Sequence, residues 1–102
     1  GSLAKRYATA LLSVAEEQGK VDEYFAQLSV LRQSLAEHPD LQNVLSSPVL
    51  GASQKKAIFS ALAPKLGTSP VMSNLMHVLI DNERINELHL IELIYRDMAD
   101  ER

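Results

Sequence analysis

Leu3-Ala4-Lys5-Arg6-Tyr7-Ala8-Thr9-Ala10-Leu11-Leu12-Ser13-Val14-Ala15-Glu16-Glu17 opens the chain with the spacing of an amphipathic helix. At about 100° per residue, Lys5, Arg6, Thr9, Ser13, Glu16 and Glu17 gather on one side. Everything else, from Ala10 through Leu3, Tyr7 and Leu11 round to Ala8 and Leu12, forms an apolar arc of roughly 200°. A helix lying on a small domain needs a stripe only somewhat over about 100° wide. Either a second neighbour within the fold covers the excess, or a second molecule does.

The following segment acts as an internal control. The first helix is expected to stop at Gly19, since glycine is favoured just past a helix C-terminus. From Val21 to about Glu37, the residues Val21, Tyr24, Phe25, Leu28, Leu31 and Leu35 recur at steps of three and four. Asp22, Glu23, Gln27, Arg32 and Gln33 take the opposite side, leaving a stripe of only about 120° with Val30 as an outlier. One neighbour satisfies such a helix. The segment after Thr68-Ser69 repeats the wide arc instead. Thr68-Ser69-Pro70 is a strong start signal, a capping hydroxyl followed by proline at the first position. From Pro70 to about Asn82, the polar residues Ser73, Asn74, His77 and Asp81 cluster. Val71, Met72, Leu75, Met76, Val78, Leu79 and Ile80 cover roughly 200° of the remaining surface.

Three further helices complete the chain. Pro39 starts a short one carrying Leu41, Val44 and Leu45, which ends before Ser47-Pro48. Ser53 is the expected N-cap of a helix from Gln54 to about Leu62, with Ala57, Ile58, Ala61 and Leu62 turned inward. Pro64 and Gly67 end it, and Asn82-Glu83-Arg84 makes the turn after the fifth helix. Asn86 is the expected cap of a last helix through about Ala99, with Leu88, Ile91, Ile94, Tyr95 and Met98 as its stripe. Helices of this length joined by loops of a few residues predict an all-α fold, a compact six-helix antiparallel bundle.

A chain of 102 residues forms one domain with a real core. Gly1-Ser2 reads as the scar of a removed purification tag, so the six-helix domain is assigned to residues 3–102. Asp100-Glu101-Arg102 carries no stop signal, and the chain reads as a fragment. With 10 basic residues against 13 acidic, the balance speaks against a nucleic-acid surface, which needs a basic stripe. The absence of cysteine excludes disulfides, thiolate chemistry and cysteine-ligated zinc. No apolar run approaches the 18 or so residues of a membrane span, and no signal peptide is recognisable.

A search for chemistry finds little. His38, His77 and His89 fall in separate elements. His77 and Asp81 lie four apart on one helix face, but two ligands fall short of the three or four that zinc takes. No glycine-flanked serine elbow and no glycine-rich phosphate loop occurs. Lys5-Arg6 and Lys55-Lys56 are the basic doublets, read as ordinary surface charge. The chain is therefore expected to have no catalytic, metal or cofactor site. Two wide-arced helices side by side make a groove suited to a third amphipathic helix. The rival is burial of both arcs by neighbours within the bundle.

Two segments also resemble a known family. Arg6-Tyr7-Ala8-Thr9-Ala10-Leu11, followed by Ala15-Glu16-Glu17-Gln18-Gly19, is similar to the opening of the delta subunit of F-type ATP synthases. In mitochondria that subunit is called the oligomycin sensitivity conferral protein. Ser73 to Ile85, with its Asn74-Leu75 and Asn82-Glu83-Arg84-Ile85, resembles the family's Asn-Leu…Asn-Gly-Arg-Leu segment. Glu83 stands where many members have glycine, and Ile85 where leucine is usual. Ser47-Pro48 and the Pro70 helix start fall where the family has comparable breaks.

The resemblance implies a six-helix N-terminal domain on top of the catalytic head, binding the N-terminal helix of an alpha subunit between its first and fifth helices. A smaller C-terminal domain, absent here, is implied to contact b-type stalk subunits. Such a subunit is a non-catalytic adaptor of the peripheral stalk, holding the head still during proton-driven ATP synthesis. It is peripheral to the energy-transducing membrane, without direct insertion, on the cytoplasmic side in bacteria or in the mitochondrial matrix or chloroplast stroma. Carried over by position, Tyr7, Ala10, Asn74 and Val78 match groove residues of the family. Helical spacing adds Leu11 and Val14 on one wall, with Val71 and Leu75 on the other. The alternative is a generic amphipathic-helix-binding or self-associating helical domain outside ATP synthase.

Overall fold

Local chemistry sets most of the helix ends. In the computed structural model, which describes residues 2–101, α1 runs Ser2–Gln18, α2 Val21–Glu37 and α3 Pro39–Leu45. The helices α4 (Ala52–Leu62), α5 (Pro70–Asp81) and α6 (Leu88–Asp100) follow. Single turns of 3₁₀-helix, Ala63–Leu66 and Ile85–Glu87, connect α4 to α5 and lead into α6. No strand occurs among the described residues, and the all-α bundle holds as read. Gly1, half of the supposed tag scar, lies outside the described residues, whereas Ser2 is the first residue of α1.

Helices α1 and α5 end in the same way. After α1, Gly19 takes φ +67°, its N–H donates to the Glu16 carbonyl at 3.3 Å, and the Lys20 N–H donates to Ala15 at 2.8 Å. This is the Schellman closure, which needs a left-handed residue just past the helix. After α5, Glu83 takes that place with φ 57°. The Glu83 N–H reaches Ile80 at 3.1 Å and the Arg84 N–H reaches Leu79 at 2.7 Å. A glutamate thus occupies a position that suits glycine, at a cost of about 1–2 kcal/mol for the side chain's clash with its own backbone.

The core sits where α6 packs along α1 and α2. Ala4, Ala8 and Ala15 of α1 have no exposed surface, and these small side chains let the α1 backbone approach α6 closely. Tyr95 of α6 is fully buried, stacks on Phe25 with ring centroids 6.2 Å apart, and donates its hydroxyl to the Val21 carbonyl at 2.7 Å. Beside it, Glu92 accepts from Ser29 Oγ and from Arg32 Nε, both at 2.6 Å. The α2 stripe is covered as its narrow width predicts, with Phe25 half-buried and Val30 left 42% exposed. A radius of gyration of 12.9 Å matches the ~13 Å of a compact chain of this length.

Two helix starts differ from the sequence reading, and so does one face. Ser53 lies inside α4 and Gly51 is its N-cap, with Gln54 Oε1 accepting from the Gly51 N–H at 3.1 Å. The buried ridge of α4 is Lys55 and Phe59, continued by Ala63, while Ala57, Ile58 and Ala61 face solvent. Placing both lysines outward had turned the helix by roughly a third of a turn. Lys55 is not ordinary surface charge but 3% exposed, because a lysine's long aliphatic stem can pack as core. Asn86 does not cap α6. It lies in the 3₁₀ turn and accepts from Gln42 Nε2 at 2.6 Å, tying that turn to α3.

Candidate functional site

The two wide arcs are each half covered. On α1, Ala4, Ala8, Leu11, Leu12 and Ala15 are buried, whereas Tyr7 and Val14 are half-buried and Ala10 is exposed. On α5, Met72, Met76, Leu79 and Ile80 are buried, Val71 and Leu75 are half-buried, and Val78 is 42% exposed. The excess apolar surface therefore has no cover within the described residues. It lines one open groove of about 250 Å³ formed by Tyr7, Ala10, Leu11, Val14, Val71, Asn74, Leu75 and Val78. All eight residues singled out in the sequence meet there. Leu11, at 5% exposure, is the floor of the groove and not part of its wall.

The groove exists because α5 is held from the side away from α1. At its start Ser69 caps the helix, its Oγ accepting from the Met72 N–H at 3.5 Å. Gln27 of α2 accepts from both the Ser69 N–H, at 2.9 Å, and the Ser69 hydroxyl, at 2.8 Å, which fixes that end. Toward its other end, Asp81 pairs with Lys56 of α4 at 2.8 Å. His77 stands edge-on to Phe59, with Nε2 3.3 Å from Ser60 Oγ. Helices α1 and α5, by contrast, have no extensive backbone contact. Among the described residues, the hydrogen bond across the groove mouth runs from Asn82 Nδ2 to Tyr7 Oη at 2.9 Å.

That bond sets the direction of the groove. The N-terminal half of α1 lies beside the C-terminal end of α5, and Val14 and Val71 form the opposite end. It also pins the Tyr7 ring, so an apolar partner meets a wall whose side-chain entropy is already spent. The sequence marks Asn82 as a turn residue and as part of the family-like segment, not as a groove residue. Nothing local in the sequence connects it with Tyr7, seventy-five positions away. Asn74, exposed on the α5 lip, brings an amide to an otherwise apolar lining.

The arrangement offers no reacting group. His77 and Asp81, the candidate metal pair, are engaged with α4. Among the described residues no three His, Cys, Asp or Glu side chains converge on a metal position. No described helix is long and apolar enough to cross a membrane. What fold and groove define together is an all-α bundle with one preformed apolar cleft between two helices.

Comparison with known proteins assigns the bundle to a family. Residues 3–102 match the family model of the ATP synthase delta (OSCP) subunit. The chain is 40% identical over 101 residues to the ATP synthase subunit delta of Anaeromyxobacter sp. strain K, covering 99% of this chain and 56% of that one. It is 37% identical to that of Citrifermentans bemidjiense, covering 98% of this chain and 56% of the relative. It is 32% identical to that of Syntrophobacter fumaroxidans, over 97% of this chain and 54% of the relative. The chain belongs to the ATP synthase delta (OSCP) subunit family, a non-catalytic subunit of that synthase. It spans about half the length of the curated relatives it matches.

Proposed function

We propose that this chain is a non-catalytic adaptor of the peripheral stalk of an F-type ATP synthase, and that it binds the N-terminal helix of an alpha subunit in the α1–α5 groove. The observation that carries this reading is the groove itself. Eight residues from two helices, seven of them apolar, line one open cleft, while the narrower stripes of α2 and α6 are buried or packed against the core. An amphipathic helix laying its apolar face between α1 and α5 gives both arcs the neighbour they lack, with anchors at i, i+3/i+4 and i+7.

The residues divide the work. Tyr7 is a rigid aromatic anchor whose hydroxyl oxygen accepts from Asn82, leaving its own O–H at the groove rim to donate to the partner or to water. Ala10 keeps the α1 wall low so that a partner backbone comes close. Asn74 is placed to bond a polar side chain or a free helix-end group of the partner. Contacts with b-type stalk subunits fall to the part of such a subunit beyond the half matched here. The complex sits on the catalytic head at the energy-transducing membrane, joining head to stalk during proton-driven ATP synthesis.

Calorimetric titration of the domain with a synthetic peptide of the alpha subunit's N-terminal segment tests the reading. Saturable one-to-one binding, lost in Tyr7→Ala and Val78→Asp variants that retain their helical circular dichroism, supports it. Absence of heat and of any spectral change at high peptide concentration would refute it. So would a dimer in sedimentation whose contacts fill the groove with a second copy.

A further inference from the structure

The groove is apolar along its length, but its two ends carry opposite charge. At the Tyr7–Asn82 end, Arg6 and Arg84 stand exposed against Glu83, Lys5 falls on the far face of α1, and Asp81 is already neutralised by Lys56 at 2.8 Å. At the Val14–Val71 end, α1 presents the exposed Glu17 on the groove side, whereas Glu16, about 200° round the helix from Val14, falls on the far face. The facing stretch of α5, from Pro70 to Ile80, contains no Asp, Glu, Lys or Arg. Lys20 does not offset Glu17, being paired with Glu23 at 3.5 Å.

The helical register places these charges on the lip. Arg6, Ala10, Ser13 and Glu17 follow one another at steps of four, three and four, a single ridge along α1. Ala10 of that ridge lines the groove, and Arg6, Ala10 and Ser13 share the shoulder beside it. Arg6 and Glu17 therefore mark the ends of the lip, about 16 Å apart at 1.5 Å per residue. That separation exceeds the Debye length of ~10 Å in ~0.1 M salt, so each end acts on a bound helix as a separate charge. The macrodipoles give no net direction, because α1 and α5 run oppositely along the cleft and their fields offset.

We infer that the groove selects its partner helix by charge order. The partner is acidic on the flank lying over Tyr7 and Asn82, and basic on the flank lying over Val14 and Val71. The opposite placement brings carboxylate against Glu17 and ammonium against Arg6, and is disfavoured. The apolar face supplies the affinity, and the two lip charges set direction and reject helices of uniform charge. This inference rests on the groove being a helix-binding site, as proposed above.

Two synthetic helices of about five turns test it. They share one apolar face and one net charge. The first carries glutamates on one half and lysines on the other, and the second alternates them. At low salt the segregated peptide is expected to bind about three- to tenfold more tightly, the gain from two solvent-exposed charge contacts, with the gap closing at high salt. A nitroxide on its acidic end should broaden amide signals near Asn82. In the double variant Arg6→Glu/Glu17→Lys, both exposed positions, the broadening should move to the Val71 end. Equal affinities, or broadening near Val71 in the unaltered protein, would overturn the inference and leave the groove reading standing. If neither peptide binds, both readings fall.

Discussion

The two flanks of α1 and α5 are built on different plans from the seam between α2 and α6. Along that seam apolar and polar groups are closed together. Tyr95 is buried, stacked and hydrogen-bonded, and Glu92 gathers Ser29 and Arg32 around one carboxylate. Along the groove the apolar groups are left facing outward, and the Asn82–Tyr7 bond spans the gap. The contrast separates two uses of hydrophobic surface in one small protein. The seam holds the fold, and the groove is surface the fold does not need. Mutations should therefore divide cleanly, with stability effects on one side and binding effects on the other.

The strongest test of that division is Tyr95→Ala. Removing a fully buried aromatic ring from a core position costs about 3–5 kcal/mol, and here the Val21 carbonyl also loses its donor. Urea unfolding should show the midpoint drop sharply, and the variant is expected to be unfolded or nearly so at 37 °C. A loss under about 1 kcal/mol would mean that the seam is not the core.

Glu92→Ala probes the polar half of the same seam. It leaves Ser29 without its acceptor and frees Arg32, which is 40% exposed and recovers much of its hydration. The expected cost is about 1–3 kcal/mol, the range for losing a charged, largely buried hydrogen-bonding group. Glu92→Gln should recover part of it, since an amide oxygen still accepts from one donor. Thermal melts of the two variants check the ordering. If both equal the unaltered protein, the seam is held by packing alone.

Next in size, and of opposite sign, is Glu83→Gly. The turn closing α5 needs a left-handed residue, and Glu83 supplies it at φ 57°. Glycine removes a strain of about 1–2 kcal/mol but adds backbone freedom to the unfolded chain worth about 0.5–1 kcal/mol. The net expectation is a stabilisation of about 0.5–1 kcal/mol, read as a higher melting temperature. A lower melting temperature would mean that the glutamate side chain contributes more at this turn than its conformation costs.

The fold was legible because its signals are local. Gly19, Pro39 and Ser69-Pro70 set helix ends through a left-handed turn, a fixed φ and a capping hydroxyl, each within a few residues of the event. The groove was legible for a related reason, since an apolar arc wider than one neighbour covers can be counted along a single helix. What escaped notice was set by partners far along the chain. The α4 face turns on Lys55 packing as an aliphatic stem, against the default placing of lysine outside. Asn86 looked like a cap but bonds Gln42, forty-four positions earlier. Asn82 and Tyr7 meet only once the bundle has formed.

The smallest expected effect on stability carries the most weight for the comparison. Val78 is 42% exposed on the α5 lip, so Val78→Asp removes little buried surface and leaves its carboxylate in water. Substitutions at such positions usually change stability by less than about 0.5 kcal/mol. For a partner helix the same change is severe, because a docked apolar face would desolvate the new carboxylate without pairing it, a cost of at least about 1–3 kcal/mol. Binding of the alpha-subunit peptide is thus expected to weaken by about tenfold or more, while the urea midpoint stays nearly in place. Proportional losses of both would make Val78 part of the core, and the groove would be an extension of the seam. Loss of neither would separate the cleft from any helix-binding role, because no partner could cover Val78 and ignore a charge there.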